Sequence, residues 1–277
     1  MHHSGWARRL GVVFIVLWSL VPLYWALNLS AQTDAQVGSK PANYLPPTPT
    51  FGNYRALLTG PGDLAGAVRR STANIFLECG AATVITVVLS TIAAYAFARM
   101  TFRGRRTLFY SMLATMTFPA YTTLIPLYRI LSDFGLVNTY TGLILVYVSG
   151  FLPLATWILY NYMSSLPVAI EEAGQMDGAG RMRILWHLVL PLARPGIIST
   201  AIITFLFAWA QFLFPLVLTS DLSTQPLTVV IAALQGRHLV PFSLLSAAGI
   251  YAIAVPAVLV VALNRYIVSG LLTGSVK

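Results

Sequence analysis

Only eight acidic residues occur among 277, and three of them, Glu171, Glu172 and Asp177, fall within seven positions. A cluster of carboxylates in a chain so poor in charge needs a use. The stretch 165–179 reads as a short helix: Ser165 is placed to cap it, Pro167 suits its first turn and Gly178 can end it. A second helical piece is expected over 181–190, stopping at Pro191. Carboxylates carried on one short helix suit charge-assisted hydrogen bonds to a partner surface. The plainer alternative is an amphipathic connector that holds its acids in solvent.

The other chemistry-bearing residues are isolated. Nucleotide hydrolysis needs a Gly-rich loop ending in Gly-Lys-Ser/Thr, yet the two lysines are Lys40, which precedes Pro41, and Lys277, the last residue. His2, His3, His187 and His238 fall in different loops, and Cys79 is the single cysteine. Neither a metal site nor a catalytic constellation is expected from them. Glu78 is the one acid inside an apolar run, near its outer end and beside Asn74. A carboxylate in lipid is a functional candidate by default, although from there it could reach Arg69, Arg70 or water. Trp209 and Gln211 supply an indole and an amide suited to the faces and hydroxyls of a polar solute, with packing or interface anchoring as the plainer use.

What must position these residues is a bundle in lipid. The chain is 57% hydrophobic with a mean hydropathy of +0.75, and only 9% is charged, where soluble chains carry about 25%. Apolar runs at 10–29 and about 75–98, 108–127, 143–162, 188–213 and 242–263 are each long enough to cross a ~30 Å hydrocarbon core. The first exceeds a signal-peptide core and reads as a retained span. Residues 30–70 are polar and proline-rich, an extramembrane loop with one short helix at 53–58. Pro119, Pro126, Pro153 and Pro256 foretell kinks or breaks in the runs. Eleven of the seventeen Lys and Arg lie on the side of the termini and the acidic loop, and six on the other, so both termini are assigned to the cytoplasm. The net charge of +9 follows from that asymmetry; lipid is the expected partner, and no nucleic acid is.

The loop's spacing carries a resemblance. Glu172-Ala173-Gly174, then Asp177-Gly178-Ala179, then Leu188-x-Leu190-Pro191 resembles the cytoplasmic signature of ABC importer permeases: E-A-A, three residues, Gly, nine residues, I-x-L-P. Gly174 replaces the second alanine and Leu188 the isoleucine, with the spacing kept. Further matches are 93–99 ending at Arg99, Phe118-Pro119, 125–128, Gly135-Leu136, Asn138-Thr139, 207–209, 214–216 and the tail Gly270, Leu271, Gly274, Val276 and Lys277. Together they resemble carbohydrate-uptake permeases of the maltose-transporter (MalG-like) type over about 54–277. One departure is Trp209-Ala210, with Gln211 one place on, where the family commonly has Trp-Asn.

The resemblance implies an all-α polytopic membrane protein with six transmembrane helices, both termini inside, in the fold of a type I ABC importer permease of the bacterial cytoplasmic membrane. It divides the chain into a first span and extracytoplasmic loop (1–70), a core (71–265) with a coupling loop at about 164–191, and a cytoplasmic tail (266–277). Glu171, Glu172, Ala173, Gly174, Asp177, Gly178, Ala179, Leu188, Leu190 and Pro191 would form the seat for an ATPase. Asn74, Glu78, Trp209 and Gln211 become candidates for the translocation path. The implied partners are a second homologous permease, two copies of a cytoplasmic ABC ATPase and an extracytoplasmic solute-binding protein. No cofactor is expected on this chain; ATP and Mg would sit on the ATPase. A permease for glycerol-phosphate or a related phosphodiester is the alternative. A membrane enzyme would need a titratable cluster within the spans, and a secondary transporter an internal repeat and midplane ionisable groups.

Overall fold

The computed structural model describes residues 5–236 and 240–272. The tail residues Gly274, Val276 and Lys277, with His2, His3, Arg237 and His238, lie outside the described residues. Among the described residues thirteen helices follow one another: α1 (Gly5–Ser30), α2 (Asp34–Val37), α3 (Gly52–Thr59), α4 (Asp63–Arg99), α5 (Arg105–Ala114), α6 (Ala120–Asp133), α7 (Tyr140–Ser165), α8 (Ala169–Met176), α9 (Arg181–Ile184), α10 (Leu190–Trp209), α11 (Leu213–Leu218), α12 (Leu227–Gln235) and α13 (Phe242–Leu272). A 3-10 turn (Thr115–Thr117) follows α5, and a π turn (Leu185–Val189) joins α9 to α10. The described residues contain no strand, as expected for a chain whose backbone polar groups must be satisfied inside lipid.

Among the described residues five helical stretches are long and apolar enough to cross a membrane: Arg8–Ser30, Asp63–Arg99, Tyr140–Ser165, Arg181–Trp209 and Phe242–Asn264. The expected third span, 108–127, is not one helix. It breaks between the 3-10 turn and α6, where Phe118 is extended (ψ 126) and Pro119 precedes α6. Pro Cδ clashes with a helical preceding residue, whereas Pro126, Pro153, Pro195 and Pro256 are absorbed inside helices. The second span begins earlier than its hydropathy indicated. Residues 63–70, read as loop, are the first turns of α4, with Ala65, Val68, Ser71 and Ile75 buried at helical spacing. The fifth ends at Trp209, short of 213, because Pro215 in α11 would clash with the carbonyl of residue 211 in a continuing helix.

The chain forms two compact units, one of residues 1–71 and 229–255 and the other of 72–228 and 256–277. In the first, α1 is apolar with its outer turns exposed, the composition of a helix whose neighbour is lipid. The 31–51 loop is held by amides: Asn28 donates to Asn43 O (2.9 Å), and Asn53 to Ser30 O (2.9 Å) and Gln32 O (2.8 Å). In the second, Ala94, Tyr95, Leu159, Met163, Ile184, Leu185, Val189 and Ala193 form a buried cluster that joins α4, α7, α9, the π turn and α10.

Candidate functional site

The acidic loop folds onto that cluster. Ser165 does not cap its helix: it remains in α7, where its hydroxyl donates to Tyr162 O (2.7 Å). Leu166 is then extended (ψ 139) before Pro167, and α8 starts without a side-chain cap. The two adjacent glutamates separate. Glu171 is turned inward and accepts from Arg99 Nε at 2.5 Å, while Arg99 Nη2 donates to Leu166 O at 2.9 Å and Tyr95 OH lies 3.4 Å from the other carboxylate oxygen. The pair is nearly buried, at 11% and 6% side-chain exposure. Arg99 therefore ties the end of α4 both to the linker before α8 and to α8 itself. Glu172, Ala173 and Met176 lie on the exposed side, Met176 at 90% exposure.

Gly174 faces the core, where a Cβ would stand 2.8 Å from Leu188 Cδ1 and 3.4 Å from Ile184 Cγ1. The two departures from the family signature thus meet in space, the missing methyl at 174 leaving room for the leucine branch at 188. Gly178 ends α8 in the left-handed region (φ +76). Gly178 N donates to Gln175 O and Ala179 N to Gly174 O, both at 3.0 Å, a Schellman closure with Asp177 as the C-cap. No neighbour stands within 4 Å of a Cβ at Gly178, so backbone conformation, not crowding, requires glycine there. The second helical piece does not stop at Pro191. The π turn carries it into α10, with Leu190 and Pro191 as the first two residues. Pro191 lacks the N–H that an α-helix would direct to His187 O, and a wider turn just ahead of it relieves that interruption.

Three of the four path candidates are held in local contacts. Asn74 donates to Leu222 O (3.1 Å) and Gln225 O (2.9 Å) and accepts from Tyr140 OH (2.7 Å), which uses up its amide. Trp209 is buried, with its ring 5.1 Å from Phe76 and 5.7 Å from Phe205, and Gln211 O accepts from Thr228 Oγ1 at 3.0 Å. Glu78 is fully buried, and neither carboxylate oxygen has a hydrogen-bond partner, which corrects the expectation that it reaches Arg69, Arg70 or water. Nine residues place Arg69 on the opposite side of α4, and Arg69 donates to Leu58 O at 2.8 Å.

Two features escaped sequence reasoning. Asn138, in the left-handed region (φ 59), accepts through Oδ1 from Ser220 N, Asp221 N and Thr224 Oγ1 at 3.0, 3.1 and 2.7 Å. With Thr139 capping α7 through Gly142 N, it clasps the α6–α7 turn to the 218–225 loop; the signal was the Asn-Thr pair itself. The second is a cavity of about 450 Å³ beside the broken third span, with Thr115, Phe118, Ser149, Phe151, Phe207 and Phe214 in its wall. Phe118-Pro119 marked the break but not the space beside it.

Comparison with known proteins adds the family. Residues 86–273 match the family described as binding-protein-dependent transport system inner membrane component. The chain is 32% identical over 270 residues to a sulfoquinovosyl glycerol transport system permease protein of Agrobacterium fabrum, covering 98% of this chain and 93% of that one. It is 33% identical over 270 residues to the trehalose/maltose transport system permease protein MalG of Thermococcus litoralis, covering 97% and 95%. Among solved structures it resembles a chain of a bacterial ABC transporter that imports the polysaccharide alginate, with a TM-score of 0.77 at 24% identity over 96% of this chain and 98% of that chain.

Proposed function

The chain belongs to the binding-protein-dependent transport system inner membrane components, and from that membership we propose that it carries a carbohydrate inward and couples to its ATPase through α8. It is a membrane-spanning permease subunit of an ABC importer, and ATP hydrolysis belongs to a separate subunit. One observation carries the coupling: α8 is pinned at Glu171 to the end of a membrane helix by Arg99, while Glu172, Ala173 and Met176 face outward. A helix fixed on one side and free on the other transmits a push applied to its free face as rigid-body motion of the attached spans.

The partners of that motion are two copies of an ABC ATPase, which hold ATP and Mg, and a second related permease that completes the pathway; a binding protein delivers solute from outside. Carbohydrate is favoured over a phosphodiester because the relatives bear names of trehalose, maltose and sulfoquinovosyl glycerol transport. Within this chain the cavity near Phe118 and Ser149 suits the path better than Asn74, whose amide is already engaged. The test is Glu172→Ala, which leaves the Arg99–Glu171 anchor intact. Uptake of labelled trehalose and glycerol-phosphate and co-purification of the ATPase are measured in the same cells. Trehalose uptake that collapses while the protein still inserts supports the reading; normal uptake and normal co-purification sink it.

A further inference from the structure

At the end of α4 a second basic group stands apart from the coupling loop. Arg103, Arg105 and Arg106 follow one another closely, and the single ion pair among the described residues is Arg99–Glu171, so these three guanidinium groups have no carboxylate partner. Arg105 Nη1 donates to Met100 O at 3.0 Å. Arg105 and Arg106 are also the first two residues of α5, which has no side-chain cap and no acid in its first turn. Their charge adds to the positive end of the helix dipole instead of opposing it, an arrangement that calls for an anion from outside the chain.

The space for one is present. Arg105 and Arg106 line a cavity of about 280 Å³ between the ends of α4, α5 and α7, walled by Phe97, Phe109, Tyr110 and Tyr160. Phe109 is packed 5.2 Å from Phe97 and 4.6 Å from Tyr160, so the rings of the wall rest on one another. Paired guanidinium groups match the oxygens of a phosphate ester, and aromatic rings at this level are the residues of a membrane interface.

We propose that this pocket binds the phosphodiester headgroup of an anionic phospholipid in the cytoplasmic leaflet. Basic pockets between membrane helices on that side take such headgroups. A free phosphate would share the arginines but have no use for the aromatic wall, where Tyr110 is 66% exposed, nor for Leu108, two residues before it on α5, at 57%; acyl chains would cover both.

The test uses the complete permease–ATPase complex in detergent with measured amounts of phosphatidylglycerol or phosphatidylcholine, read by native mass spectrometry. Wild type should retain phosphatidylglycerol in preference to phosphatidylcholine. Arg105→Gln with Arg106→Gln should weaken that retention about 25-fold, at about fivefold for each arginine, while Arg8→Gln with Arg9→Gln should not. If the double glutamine variant fails to insert, Arg105→Lys with Arg106→Lys keeps the charge and loses the forked geometry; its retention should fall about fivefold. Equal retention of the two lipids by wild type, or unchanged retention in the variants, overturns the proposal. So does thermal stabilisation by inorganic phosphate without any by phosphatidylglycerol, which would mark a free-anion site. Loss of the ATPase from the variants with lipid retention intact also overturns it, in favour of an acidic protein face.

Discussion

Arg99, in the last turn of α4, holds Glu171, in the first turn of α8, at 2.5 Å with both side chains nearly out of solvent. The two residues are 72 positions apart, and each lies in a segment that resembles the importer family. Their contact makes one mechanical piece of a membrane helix and a surface helix.

Breaking that contact from either side should be costly. Arg99→Met or Glu171→Leu alone leaves one charge buried without its partner, a loss of about 3–5 kcal/mol, whereas removing both together should be milder. Melting of the detergent-solubilised complex, with ATPase co-purification alongside, should show both singles worse than the double. Additive losses would mean the pair is not coupled.

Gly174 and Leu188 should behave as a compensating pair. Gly174→Ala gains up to about 1 kcal/mol of helix propensity but pushes on Leu188 Cδ1 at 2.8 Å, so on its own it should be near neutral. In a Leu188→Val background the obstruction shrinks and the alanine should stabilise. The four melting temperatures of the cycle decide it, and equal effects of alanine in both backgrounds contradict the packing.

At Gly178 only the backbone matters, because the space around it is open. Substitutions should rank Asn best, then Ala, then Val, following tolerance of the left-handed conformation, with a penalty of about 1–2 kcal/mol for ordinary residues. Solute uptake should follow the same order. If Ala and Asn are equally active while Val is dead, bulk at the partner surface is responsible instead.

Glu78→Met should raise the melting temperature, since both carboxylate oxygens are buried without partners and an apolar side chain of similar length leaves no unpaired polar group out of water. Retained uptake would remove Glu78 from the path. A destabilised variant with lost uptake would show that the carboxylate has work of its own.

Orientation is tested by labelling. Cysteine at Ser39 should react with an impermeant thiol reagent from outside, and cysteine at Gly104 only after permeabilisation, because eleven basic residues lie on one side against six on the other. The native Cys79 is buried and should stay silent. Reversed labelling would invert the topology and move the lipid pocket to the other leaflet.

Residues alone determined the chain's solvent, the class of its fold and the place of its acidic loop, because hydropathy, charge asymmetry and signature spacing are local properties that survive without a partner segment. Gly178 as a helix terminator was legible for the same reason: a glycine after a short helical pattern needs no tertiary contact to favour a left-handed turn. Tertiary structure decided which of two adjacent glutamates is an anchor, since neighbours on a helix point about 100° apart and only the position of Arg99 selects Glu171. It made the Asn74 amide a tie for the 222–225 loop, because hydrogen-bond partners 148 and 151 positions away leave no mark on local sequence. It also broke the third apolar run at Phe118 while letting four other prolines pass inside helices. Pro119 forbids a helical residue before it unless the surroundings compensate, and that compensation belongs to the packing.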